Sequence, residues 1–200
     1  MTEVQNTAAA KTVLTDAENF DTVHPLNSEW TLWFDNPSRR TNTSSWTQNL
    51  KEIVTLGTVE DFWGVHSNVT KAVDLPNGSN YHLFRKGIKP MWEDAANANG
   101  GRWGIQLQRS VGGKANDLWL NTLLACIGET FDASTDVCGA VFSNRKQCFR
   151  IAIWTRNAAD KEACEAIGRH LKTVLNGEHQ LEYMPHTDNA KSGPKVLYSV

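Results

Sequence analysis

Apolar and polar positions along this chain fall into short blocks with the period of strands or helices. Trp30-Thr31-Leu32-Trp33-Phe34 is β-prone and is ended by Asn36-Pro37-Ser38. A polar loop over 38–45 delivers Trp46, and Leu50 to Leu56 reads as a second strand. Thr58-Val59-Glu60-Asp61 resembles a capping box with Asp in the Glu place, predicting a helix to about Asn68. Pro76-Asn77-Gly78 is a turn signal, and a strand follows over Tyr81–Arg85. Lys89 to Asp94 forms a Pro-led loop, Arg102 to Gln108 a strand after Gly100-Gly101, and Asp117 to Gly128 a helix after Gly112-Gly113. Val137–Ser143 and Phe149–Trp154 read as strands joined by the basic connection Asn144-Arg145-Lys146-Gln147. Asn157, with Asp160 three residues on, is expected to cap a third helix running to about Leu175. A strand over Gln180–Tyr183 and a polar loop to Pro194 complete the pattern. Residues 1–23 are polar, alanine-rich and aperiodic, which predicts a flexible tail before a single domain over 24–200. Strands outnumber helices and the hairpin connections are short. The expected class is α+β, a largely antiparallel sheet with about three helices on one face.

Composition narrows this picture. A 40% hydrophobic and 21% charged chain of 200 residues is globular. No apolar run approaches the ~20 residues of a membrane helix, and the first residues lack the basic start and apolar block of a secretory signal. The net charge of -2 argues against non-specific binding along nucleic acid. It is unevenly placed: residues 1–139 hold 11 basic and 16 acidic side chains, residues 140–200 hold 9 and 6. A basic patch near the C-terminal end is therefore available for a small anion. Cys126, Cys138, Cys148 and Cys164 form no C-x-x-C and have no His at a zinc spacing, so buried reduced thiols of a cytosolic protein are expected, and no metal. Without a signal, the N-x-S/T acceptors at Asn42, Asn68 and Asn77 carry no weight.

Eight tryptophans against seven Phe and three Tyr serve either as core filler or as flat recognition surfaces. In Phe149–Trp154, alternation puts Phe149, Ile151 and Ile153 on one face and Arg150, Ala152 and Trp154 on the other. The second set is either a ligand surface or an Arg covering a Trp. Trp92-Glu93 pairs a stacking ring with a carboxylate that can accept from an N–H pair. Guanine carries such a pair at N1 and N2, and methylation at N7 makes the base cationic and strengthens the stack. On the first predicted helix Phe62 and Val65 make one apolar pair, Val59 and Trp63 another. On the second, Trp119, Leu123, Cys126 and Ile127 form one stripe, Leu120 and Leu124 a second. Such helices are either deeply buried or offer a spare stripe to a partner helix. No G-x-G-x-x-G, P-loop, H-E-x-x-H or G-x-S-x-G occurs.

These pieces together resemble the cap-binding translation initiation factor of the 4E family. The likeness runs from His24-Pro25-Leu26 through W-T-L-W-F (30–34), V-E-D-F-W (59–63), P-M-W-E-D (90–94), G-G-R-W (100–103) and L-W-L-x-T-L-L (118–124). It continues with I-G-E-T-F-D (127–132), I-A-I-W-T (151–155) and K-S-G (191–193), and spans about 170 residues in order. The resemblance implies a curved sheet of about eight strands backed by three helices, like a cupped hand, and no enzyme activity or cofactor. It implies that Trp46 and Trp92 sandwich a 7-methylguanine, that Glu93 accepts from its N1 and N2, and that Trp154 touches the methyl group. Arg145 and Arg150 would contact the phosphates, with Arg102 assisting, and Lys191 would reach the next nucleotide. Two Trp at the sandwich positions are similar to the general initiation factor, since divergent repressing members carry Tyr or Phe at one of them.

His24, Pro25, Leu26, Val59, Trp63, Leu120, Asn121 and Leu124 resemble the dorsal surface that takes the Y-x-x-x-x-L-Φ helix of the 4G-type scaffolding factor and of inhibitory 4E-binding proteins. The implied setting is the cytoplasm, with the nucleus as a second compartment. The chain departs from the family at Gln147, where a Lys is frequent, at Asn121, where an acid is frequent, and at Pro194, where some members carry a phosphorylated Ser. The rival classes are a carbohydrate-binding module or glycosidase-like enzyme and a nucleotide hydrolase. Against the first stands the basic 145–150 connection, and against the second the want of an acidic cluster.

Overall fold

The computed structural model describes residues 23–36, 49–177, 180–186 and 196–200. The expected tail over 1–23 therefore falls, but for Val23, outside the described residues, as do the loop over 38–45, Trp46, and the segment holding Lys191, Ser192 and Pro194. Among the described residues the chain order is β1 (Pro25–Asp35), β2 (Leu50–Thr58), α1 (Val59–Asn68), β3 (Asn80–Arg85), β4 (Gly101–Gln108), α2 (Lys114–Ile127), β5 (Val137–Asn144), β6 (Cys148–Thr155), α3 (Lys161–Val174), β7 (Glu182–Pro185) and β8 (Tyr198–Ser199). The strands form one antiparallel sheet in the order β2-β1-β3-β5-β6-β4-β7-β8. This is the expected α+β class, with eight strands and three α-helices among the described residues.

Local chemistry sets the element ends. The capping box at α1 is present: Thr58 Oγ1 accepts from the Asp61 amide at 3.0 Å, and Asp61 Oδ2 accepts from the Thr58 amide at 3.1 Å. At α3 the cap is Asp160, not Asn157: Asp160 Oδ1 accepts from the Ala163 amide at 3.0 Å. Asn157 instead closes a turn on Ala159. α2 starts at Lys114 behind Gly113, three residues before the expected Asp117. β1 starts at Pro25 and reaches Trp30 through an irregular register against β2. β7 lies two residues later than expected, and the short β8 was not foreseen.

The main core lies between the helices and one face of the sheet. Trp30, Trp103, Phe142, Ile151, Ile153, Ile167 and Leu171 are each 0% exposed there. Eight of the 14 residues of α2 are buried, so its two stripes serve different ends, one of them core. α3 lies so close to β4 that a Cβ at Gly168 would meet the Trp103 ring at 2.6 Å; the Trp103 Nε1–H donates to the Cys164 carbonyl at 2.8 Å. A smaller cluster of Phe84, Ile88, Cys138 and Val141 sits on the opposite, concave face, with Ala96 and Trp154 packed against it. Gly139 makes room for it, since a Cβ there would meet the Phe84 ring at 2.4 Å. All four cysteines are free and buried. Burial pushes the Cys126 and Cys138 thiols up to about 12. Among the described residues no helix is long and apolar enough to cross a membrane, and no group of three His, Cys, Asp or Glu is placed to hold a metal ion.

Candidate functional site

The concave face is built by strand alternation. Arg102 pairs with Trp154, Gly104 with Ala152 and Gln106 with Arg150 across β4 and β6, so these side chains share one face. β5 adds Val141 opposite Ala152 and Ser143 opposite Arg150. Ile151 and Ile153 point the other way into the core, as the alternation of Phe149–Trp154 predicts. Trp154 lies edge-on to Phe84 at 5.5 Å and against His186 at 4.1 Å between ring centroids. It is thus held on two sides while part of its surface stays open.

Trp92 and Glu93 project from the connection between β3 and β4. Two buried or half-buried polar side chains clamp that connection. Asp94 accepts from the Lys89 amide at 3.0 Å and the Ala96 amide at 2.9 Å. Asn97, fully buried, donates to the carbonyls of Lys89 at 2.9 Å and Met91 at 2.7 Å. Ile88 and Ala96 seat the clamped loop on the concave cluster beside Trp154. Trp92 remains 48% exposed and Glu93 exposed. Neither spends its ring or carboxylate on a partner among the described residues.

Three guanidinium groups gather nearby. Arg102 and Arg150 are exposed and have no hydrogen bond or ion pair among the described residues. Arg102 is held below its ordinary value by desolvation first and then by Arg150, and Arg145 likewise. Arg150 thus repels both neighbours, and an anion placed among the three relieves that repulsion. Arg145 is half-buried and donates to Asn80 Oδ1 at 2.8 Å and to the carbonyls of Asn144, Gly78 and Ser79 at 3.1–3.3 Å. His186 is buried at the rim, where desolvation first and Arg102 second push its imidazole down to about 4.

The opposite, convex side carries the second residue set. Val59 and Trp63, 36% and 43% exposed, stand on α1, and Leu120 and Leu124 on α2 are partly buried with Asn121 exposed beside them. Trp63 meets Phe62 edge-on at 5.1 Å, which fixes its ring. The start of β1 is latched to α1: the His24 carbonyl accepts from the Val59 amide at 2.9 Å, and Glu60 accepts from the His24 amide at 3.0 Å and its Nδ1 at 2.6 Å. The His24 side chain's hydrogen bond is the main reason that the Glu60 carboxyl lies down at about 2. A cavity of 540 Å³ opens beside this surface, between α1, α2 and the sheet, lined by Phe62, Val65, Tyr81, Trp119, Leu120 and Leu123.

The structure thus brings Trp92, Glu93, Trp154, Arg102, Arg145 and Arg150 to one side of the sheet, and His24, Pro25, Leu26, Val59, Trp63, Leu120, Asn121 and Leu124 to the other. Trp46 and Lys191 lie outside the described residues. Sequence reasoning missed Asp94 and Asn97, which shape the Trp92 loop, and Glu60, which latches His24. Asp94 alone had a signal: a carboxylate directly after Trp-Glu in a Pro-led loop suits a turn.

The model for eukaryotic initiation factor 4E matches residues 25–198. Eukaryotic translation initiation factor 4E of Candida albicans is 44% identical over 196 residues, covering 94% of this chain and 92% of the relative. Factor 4E-1 of Triticum aestivum is 43% identical over 181 residues, covering 90% and 83%. Among solved structures, Ascaris suum eIF4E-3 with an m7G cap is similar with a TM-score of 0.83 and 34% identity, covering 90% of this chain and 98% of that one. Caenorhabditis elegans eIF4E-3 with the 4E-binding protein Mextli and a cap analog gives 0.82 and 35%, covering 90% and 100%. The chain belongs to the eukaryotic initiation factor 4E family.

Proposed function

We propose that this chain is a translation initiation factor that binds the 7-methylguanosine cap of mRNA on its concave face and a Y-x-x-x-x-L-Φ helix on its convex face. The observation that carries the reading is the clamped loop that holds a half-exposed Trp92 and an exposed Glu93 beside Trp154 and three arginines. Trp92 stacks on the methylated base, with Trp46 as the second plate. Glu93 accepts from N1 and N2, and Trp154 faces the N7-methyl group. Arg145, Arg150 and Arg102 take the phosphates, and Lys191 reaches the next nucleotide. Each stack contributes ~1–3 kcal/mol and each charge-assisted hydrogen bond ~1.5–3. Their sum, less association costs, reaches micromolar affinity or better.

On the convex face Val59, Trp63, Leu120 and Leu124 receive the apolar side of the partner helix. The indole N–H of Trp63 donates to a peptide carbonyl, and the His24-Pro25-Leu26 backbone borders the groove. The partners are the 4G-type scaffolding factor and inhibitory 4E-binding proteins, and the setting is the cytoplasm. The chain binds without turning its ligand over. Retention on immobilised 7-methyl-GTP, with elution by 7-methyl-GTP and not by GTP, tests the reading. Equal elution by both nucleotides, or cleavage of a capped dinucleotide, overturns it.

A further inference from the structure

Beside the arginine cluster lies a hydrogen-bonded chain that reaches it along the same face of the sheet, where Asp35 is paired with Asn80, Asn80 with Ser143 and Ser143 with Arg150. Asp35, the last residue of β1, is fully buried. Its two carboxylate oxygens accept from Asn80 Nδ2, each at 2.9 Å, and one also accepts from His82 Nε2 at 2.5 Å. Asn80 Oδ1 in turn accepts from Arg145 Nη2 at 2.8 Å. Carboxylate, amide and guanidinium therefore follow one another from β1 through β3 to the β5–β6 connection.

The order of these groups has a chemical logic. An ionised carboxylate only accepts and a guanidinium only donates. An amide between them has one productive orientation, with its NH₂ toward the carboxylate and its oxygen toward the guanidinium. Asp35 enforces that orientation; a neutral amide in its place permits Asn80 to turn and aim N–H donors at Arg145. Arg145 Nη1 is meanwhile committed to the carbonyls of Gly78, Ser79 and Asn144. The inner edge of the fork is thus fastened to protein, which leaves its outer N–H groups for a ligand.

We propose that Asp35 is a positioning residue for anion binding: through Asn80 it aims the Arg145 guanidinium at a phosphate chain on the concave face. The proposal rests on the reading of Arg145 as a phosphate ligand. It makes a prediction opposite in sign to simple electrostatics. The Asp35 carboxylate acts on Arg145 through space as well as through Asn80, so by charge alone its neutralisation tightens phosphate binding. By positioning, its neutralisation loosens it.

Titrations of 7-methylguanosine triphosphate and of 7-methylguanosine against four proteins separate these outcomes. Arg145→Ala loses affinity for the triphosphate and not the nucleoside; equal losses for both overturn the phosphate reading itself. Given that result, Asp35→Asn weakens the triphosphate about 3- to 10-fold, the worth of one ordinary hydrogen bond, and leaves the nucleoside unchanged. The exchanged pair, Asp35→Asn with Asn80→Asp, sets the carboxylate directly against Arg145 and restores triphosphate affinity to within about twofold of the parent, inside the usual spread of additivity. Triphosphate binding unchanged or tightened in Asp35→Asn overturns the proposal, as does a folded exchanged pair that fails to restore it. If Asp35→Asn does not fold, the exchanged pair decides alone; if neither folds, Asp35 serves the fold and the proposal falls.

Discussion

On β6 the residues that alternate are one Cα apart and live under different physics. Phe149, Ile151 and Ile153 are 3%, 0% and 0% exposed beneath the helices, while Arg150 and Trp154 face the concavity. The convex surface above those helices offers Val59, Trp63, Leu120 and Leu124, an apolar stripe with no charged residue among them. The concave surface offers two aromatic rings with a carboxylate and three guanidinium groups, every one positioned by a hydrogen bond, a clamped loop or a strand register. The contrast suits the two ligands. A helix binds by burying area, which tolerates small shifts, whereas a charged base with a phosphate tail needs donors and acceptors at fixed places. The convex stripe stands on α1 and α2 and the concave groups on the other face of the sheet and its loops, with the main core between them, so the two are expected to fail separately.

The largest effect that can break this comparison is at the base pocket. Trp92→Leu and Glu93→Ala each abolish retention on immobilised 7-methyl-GTP, while a Y-x-x-x-x-L-Φ peptide binds both variants at parental affinity by calorimetry. Loss of peptide binding in either variant shows that the faces are not independent. The mirror-image variant is Trp63→Ala, which lowers peptide affinity about 100-fold, in the range of an interface hot spot. Its quench of tryptophan fluorescence by the cap analogue persists.

A third test uses pH to sharpen the contrast. His186 lies at about 4 when folded against an ordinary 6.5, so the unfolded chain takes up the proton first. Stability contributed by the neutral ring is full above pH 6.5, falls as pH drops, and is lost by pH 4. The expected loss over that window is about 3 kcal/mol, measured by urea unfolding. His186→Phe keeps a ring against Trp154 and flattens that part of the profile. An unchanged profile in His186→Phe rules out this residue as the source. The smallest effect concerns Asn121. Asn121→Asp tightens a peptide carrying Arg opposite it by less than about fivefold, as an exposed ion pair would, and the gain fades at high salt. A peptide without that Arg is unaffected; equal gains for both peptides discard the charge-pair account.

What the sequence made legible was local or periodic. Alternation placed Arg150 and Trp154 together on β6, the Thr58–Asp61 box marked the start of α1, and two stripes on α2 signalled two surfaces. What stayed hidden was long-range pairing. Asp35 meets Asn80 and His82 across 45 and 47 residues, and Glu60 meets His24 across 36, with no spacing rule to join them. Asp160 displaced Asn157 as a helix cap because both carry the same signal three residues apart, and only the packing of Ile167 and Leu171 against the core fixes the helix phase. β8 is two residues long, too short for any period to show.

The four buried thiols also make the protein its own reporter of motion. A thiol raised to about 12 is almost wholly protonated at neutral pH, and alkylating reagents attack the thiolate. Cys126, on the inner face of α2, lies in the main core, whereas Cys138 lies under the Trp92 loop and donates to the Ala96 carbonyl at 3.4 Å. Each sulfur reacts only when its own cover lifts. The ratio of their labelling rates therefore measures how often the ligand loop opens without the rest of the molecule, with no probe added and no residue changed.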